Sequence, residues 1–152
     1  KNIISKKHYE DVLKLQKYND FYNKKNNSMN VSSSNDFSNT SLESLKKKAE
    51  YLNLDNIIFV QGSFEDTIKK FMNTSIFCSN IDCDLYNSYE ICLPFVYENL
   101  EKGGFIHLDE YYSLKFPGAR LYCDEYFEKN NIIPTKHINE YDEWERWYVI
   151  KK

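Results

Sequence analysis

The stretch "IFCSNIDCDLY" (residues 76–86) decides how this chain is read. Ile76, Phe77, Cys78 and Ile81 give it the apolar and aromatic character of a buried strand, which we place over Ile76 to Ile81. It then stops on two carboxylates, Asp82 and Asp84, one residue apart. In open α/β sheets ligands bind outside the carboxyl ends of the strands, so a strand that ends in acids marks a place where a ligand can sit.

The flanks of this stretch predict an α/β order. Upstream, Asn56 to Val60 is a continuous apolar run and reads as another buried strand. Gly62-Ser63 turns the chain into a short helix over Phe64 to Met72, with Glu65 and Asp66 in its first turn where they complement the helix dipole. Leu42, Leu45, Ala49 and Leu52 space a helix over 42–52, with Ser41 as its N-cap. Ser44 in place of Glu or Gln leaves the capping box incomplete. Residues 5–24 carry a rough apolar stripe and read as a helix, and 25–40 is an Asn/Ser-rich linker.

Downstream of Asp84, residues 88–101 read as a helix whose regular part starts near Pro94, because proline fits best in a first turn. Lys102-Gly103-Gly104 stops it, and Phe105 to Leu108 is a further strand that ends in Asp109-Glu110. Phe116-Pro117-Gly118 leads into a helix over 118–129, and Lys136 to Ile138 with Trp144 to Ile150 form an antiparallel strand pair. The alternation predicts an α/β fold with a parallel sheet and a terminal hairpin. We divide the chain into an N-terminal helix and linker over 1–40 and an α/β part over 41–152.

Composition bounds the function classes. The 152 residues are enough for one ordinary domain, and a hydrophobic fraction of 41% suffices for a core. A net charge of −3 argues against a nucleic-acid or acidic-membrane partner. No apolar run reaches the roughly 18 residues of a membrane span, and no signal peptide is evident, so the expected location is the cytoplasm. Cys78, Cys83, Cys92 and Cys123 have no C-x-x-C spacing and are expected as reduced, small core residues. The composition also admits a homo-oligomer.

The chemistry lies in the two acidic strand ends. Asp82 and Asp109 are separated by one helix-plus-strand unit, so their strands are expected to be neighbours with both acidic ends on one rim. Carboxylates brought within about 4–6 Å raise each other's pKa, and a hard divalent cation relieves that repulsion. Solvated strand-end acids are the plain alternative, and Asp84 in particular is placed to cap the following helix. An Asp-x-Asp after an apolar strand also occurs in glycosyltransferases that hold a metal and a nucleotide sugar, and in phosphatases with an aspartyl nucleophile.

The blocks "GSFEDT" (62–67), "IDCDLYNSYE" (81–90) and "LEKGGFIHLDEYYSLKFPGAR" (100–120), followed by a Trp/Tyr-rich final strand, resemble the macrocin O-methyltransferase (TylF-type) family. The resemblance covers about 41–152 and implies a class I, S-adenosylmethionine-dependent and Mg²⁺-dependent O-methyltransferase with a Rossmann-like sheet. It implies metal ligation by Asp82, Asp109 and Glu110, the last standing where the family usually has Asp. It implies contacts to the cofactor's adenine from Gly62, Ser63 and Phe64. Tyr86, Tyr111 and Tyr112 would shape the pocket of a small-molecule acceptor, a hydroxyl on a sugar or polyhydroxylated molecule. Asp82 would serve as metal ligand and as the catalytic base.

The chain also departs from the family at its start. A complete fold of this type opens with a strand and a Gly-rich turn, followed by a strand ending in an acid that holds the ribose. With only Gly62, Gly103, Gly104 and Gly118, this sequence shows no such turn in its first quarter. The expected sheet is therefore incomplete, missing its first and second strands, and the apolar flanks of 56–60 and 76–81 are expected to lie exposed. The alternatives are a glycosyltransferase or a non-catalytic α/β remnant.

Overall fold

The computed structural model describes residues 40–112, 117–138 and 145–152. The helix expected over 5–24, nearly all of the 25–40 linker and Trp144 lie outside the described residues.

Four strands form one sheet in the order β1-β2-β4-β3. They are β1 (Ile76–Ile81), β2 (Leu100–Leu108), β3 (Thr135–Ile138) and β4 (Glu145–Ile150). The helices are α1 (Leu42–Tyr51), α2 (Phe64–Thr67), α3 (Tyr86–Asn99) and α4 (Pro117–Asn130). β1 and β2 run parallel, with α3 as the crossover between them. β4 is antiparallel to both β2 and β3, which is the expected terminal pair laid onto the parallel strands.

Alternation along β2 explains the layering. Leu100, Gly104, Ile106 and Leu108 are buried, while Phe105 between them is exposed. The buried face carries α3 and α4, whose Tyr89, Cys92, Leu93, Val96, Ala119, Cys123 and Phe127 form one core with Ile81 and Val149. Cys92 and Cys123 are thus core residues as expected, whereas Cys78 is exposed, and all four thiols are free.

Several elements differ from the sequence expectation for local reasons. Helix α3 begins at Tyr86 and runs through Pro94. Proline cannot donate to the Glu90 carbonyl one turn back. The Tyr122 hydroxyl of α4 donates to that carbonyl instead, at 3.4 Å. Lys102-Gly103-Gly104 does not end a helix but lies inside β2. The β1–β2 register shifts between Ile76 and Cys78, and Gly103 there has φ of 81°. A Cβ on Gly104 would stand 2.6 Å from the Phe77 carbonyl oxygen, so the strands can approach only because this residue has none. The Ser41 cap is also stronger than expected. The Ser41 hydroxyl accepts from the Ser44 N–H at 3.1 Å and the Ser44 hydroxyl accepts from the Ser41 N–H at 3.3 Å, so serine closes the box. The expected helix over Phe64 to Met72 is α2 followed by a tighter 3₁₀ turn over Ile68–Phe71.

The strand expected over 56–60 is absent, and these residues pair with nothing in the sheet. A strand is stable only when its backbone N–H and C=O groups find a neighbour. Among the described residues β1 pairs with β2 alone, so its other edge carries no strand. The expected exposure follows: Ile58 is 82% exposed and Phe77 is 65% exposed. No helix among the described residues is long and apolar enough to cross a membrane.

Candidate active site

The parallel register brings Ile81 opposite Leu108, so the last residues of β1 and β2 end together. The Asp109 N–H extends this pairing one step by donating to the Ile81 carbonyl at 3.0 Å. Asp82 and Asp109-Glu110 therefore leave the sheet on one rim, as the sequence predicted. A 3₁₀ turn over Glu110–Tyr112 then carries the Glu110 side chain inward, where it is 2% exposed.

Asp84 reaches the same place by a strained turn. Its φ is 58°, and the Leu85 N–H donates to the Cys83 carbonyl across it. Asp is among the few residues that tolerate this left-handed conformation. The expectation that Asp84 caps the next helix is not met: the N-cap of α3 is Leu85, with no side-chain cap bond. Instead, one oxygen each from Asp82, Asp84 and Glu110 lie within 4.8 Å of one another.

The electrostatics of this cluster are those of crowded acids. Burial pushes the Glu110 carboxyl up to about 8, a hydrogen bond from Tyr89 opposes that rise, and Asp82 and Asp84 add to it. Asp109 stands beside the cluster, half-buried, and its carboxyl is raised first by burial and then by the charge of Asp82. It is not one of the three residues whose oxygens converge. Glu110 Oε2 accepts from the Tyr89 hydroxyl, while Oε1 is buried without any hydrogen-bond donor. An orphaned polar atom of this kind costs about 1–3 kcal/mol, more when charged.

These residues fit a hard divalent cation. Oxygen ligands on opposite sides of Mg²⁺ or Ca²⁺ are about 4–5 Å apart, twice a metal–oxygen distance of roughly 2.0–2.6 Å. The 4.8 Å limit of the cluster falls within that span. The Glu110 oxygen without a hydrogen-bond donor would be free to give a lone pair to such an ion.

The other residues singled out in the sequence fall in different places. Ser63 and Phe64 line a groove of about 280 Å³ with Glu65, Asn87, Ser88 and Ile91, against the first turns of α3. Gly62 has φ of 141°, and a Cβ there would meet Thr67 Cγ2 at 2.8 Å, so the turn into α2 requires glycine. Tyr86 donates to Glu125 at 2.8 Å and meets Tyr122 edge-on. Tyr112 is exposed. Tyr111 is in the core instead of on the rim. Its hydroxyl donates to Asp124 at 2.5 Å, and the Arg120 guanidinium lies 3.8 Å from its ring centre. Arg120 is held by Asp124 at 2.8 Å and donates to the Tyr111 carbonyl. His107 Nδ1 lies 2.7 Å from Asn80 Oδ1, its partner across the parallel strands.

Two contributors escaped the sequence reading. Asp124 holds both Arg120 and Tyr111, and its i,i+4 spacing from Arg120 was the available signal. Tyr89 bonds Glu110, but Tyr89, Cys92, Leu93 and Val96 share a helical apolar spacing that reads only as core.

Comparison with known proteins places the chain in a family. No curated protein sequence matches the chain. The fold is similar to a structure described as that of the O-methyltransferase NovP, with a TM-score of 0.63 and 23% identity over 74% of this chain. The match spans 46% of that protein, so this chain corresponds to less than half of its length. Residues 13–149 match the macrocin-O-methyltransferase (TylF) family, and the chain belongs to that family.

Proposed function

We propose that the protein acts as a divalent-metal-dependent O-methyltransferase that takes its methyl group from S-adenosylmethionine. The observation that carries this reading is the convergence of Asp82, Asp84 and Glu110, with the buried Glu110 Oε1 lacking a donor, at the carboxyl ends of two parallel strands. Family membership supports the reaction class. The acceptor is a hydroxyl of a sugar or polyhydroxylated small molecule.

Asp82, Asp84 and Glu110 would hold the cation, with Asp109 contributing charge beside them. A divalent ion held there would lower the pKa of an acceptor hydroxyl. The chain's own residues do the rest. Asp82 is exposed, unlike Glu110, so its carboxylate is placed to receive a proton from a group arriving out of solvent. Methyl transfer to the resulting alkoxide depends mainly on alignment. The groove beside Ser63 and Phe64 flanks the start of α3, close in sequence to the acidic rim, and suits the adenine of the cofactor. Tyr86 and Tyr112 are the aromatic candidates for the acceptor side, whereas the buried Tyr111 supports Arg120 instead.

Titration calorimetry with S-adenosylmethionine, in the presence and absence of Mg²⁺, tests the proposal. Binding that strengthens with Mg²⁺ is expected. Binding of a nucleotide sugar in its place would overturn the reading in favour of a glycosyltransferase. Turnover unchanged by Asp82→Asn at saturating Mg²⁺ would remove Asp82 as the base.

A further inference from the structure

The Tyr89 phenol has one proton and two acceptors in reach. Its oxygen lies 3.0 Å from the Ile81 carbonyl oxygen and also contacts Glu110 Oε2. The Ile81 carbonyl already accepts the Asp109 N–H at 3.0 Å. That carbonyl keeps a second lone pair, so the Tyr89 hydroxyl reaches both acceptors, and its contact with Glu110 Oε2 is the one that touches the acidic cluster. Tyr89 is fully buried and is fixed by the α3 core, so its hydroxyl is a rigid anchor. Its bond distinguishes the two Glu110 oxygens: Oε2 is held by the protein and Oε1 has no donor.

We infer that Tyr89 is a positioning residue of the metal site, which fixes the Glu110 carboxylate so that Oε1 faces Asp82 and Asp84 and Oε2 stays with the helix. This rests on the metal reading proposed above and extends it to a residue that bears no acid itself. The role also links the start of α3 to the ends of β1 and β2 through one hydroxyl, since Tyr89 reaches Ile81 and Glu110 together. Groups that orient a metal ligand typically change affinity by roughly 10–100-fold when removed.

Mn²⁺ binding to the full chain, followed by electron paramagnetic resonance, tests this on wild type, Tyr89→Phe, Glu110→Gln and the double variant. Tyr89→Phe keeps the ring and removes only the hydroxyl. We expect it to weaken Mn²⁺ binding by about 10-fold or more. In the Glu110→Gln background the same change should have little further effect, because the route through Glu110 is already broken. An equal loss in both backgrounds, or none in either, overturns the inference and leaves the metal reading standing. Failure of the wild-type chain to bind Mn²⁺ overturns both. Should Tyr89→Phe not fold, the wild-type chain still decides the matter: with ¹³C-labelled tyrosine, the Tyr89 Cζ resonance should move on adding Mg²⁺. A resonance that ignores the cation while Mn²⁺ binds overturns the inference.

Discussion

Asp84 shows how much a single backbone angle can alter a reading. Its residue type and its place after an apolar strand were legible, but the φ of 58° that turns it toward Asp82 and Glu110 was not. An alternating strand would have put Asp82 and Asp84 on one face anyway, and a helix cap would have drawn Asp84 away. Asp82 was legible because it follows β1 directly, and Glu110 because it belongs to the acidic pair that ends β2. Tyr89 was not, because its apolar spacing hides a hydroxyl whose partners lie in two other elements. The crowding of Asp84 with other acids leads to a prediction in the absence of metal. With a chelator present, Asp84→Asn should be more stable than wild type by roughly 0.5–2 kcal/mol, as expected for relief of like charges. Asn tolerates the same left-handed backbone, so the comparison isolates charge. Urea unfolding measures it, and a less stable variant would mean that the carboxylates do not repel.

The elements were legible wherever a strand or helix found its partner within this chain. β1, α4 and the second half of β2 follow from their apolar patterns and the terminal pair from its Trp and Tyr residues, whereas α3 starts at Tyr86, ahead of Pro94, and β2 already at Leu100. The run over 56–60 has the same pattern but no neighbour, and remains outside the sheet. In the terminal pair, Lys136 of β3 bonds Glu145 of β4, and Trp147 donates to Glu145 at 3.0 Å. The Lys136 bond holds the Glu145 carboxyl below its usual range, while partial burial opposes this. A carboxyl with a lowered folded pKa stabilises the fold above its unfolded value of 4.5, and that contribution is lost as pH falls through the lower folded value. The melting-temperature gap between wild type and Glu145→Gln should therefore narrow as pH drops from about 6 to about 3. A gap that stays constant would place the stabilisation elsewhere. Both side chains are 37% exposed, so solvent screening keeps the gap small.

At the scale of the whole molecule, one face of the sheet carries α3 and α4, while Phe77 and Phe105 remain exposed. Asp82, Asp84 and Glu110, and the Tyr89 that holds Glu110, all lie among the described residues. The cluster's capacity for a cation can therefore be tested on this chain directly. The central claim is that Asp82, Asp84 and Glu110 together hold a divalent metal. Ligand that binds only the folded state stabilises it by about 2.7 kcal/mol at a hundred times its Kd. For a chain of this size that raises the melting temperature by several degrees, at roughly 2–4 °C per kcal/mol. The most direct measurement is thermal unfolding of wild type and Asp82→Asn over a Mg²⁺ titration, at constant ionic strength. A saturable rise is expected in wild type, much reduced in Asp82→Asn. The same rise in both proteins, or no rise in wild type, would contradict that claim.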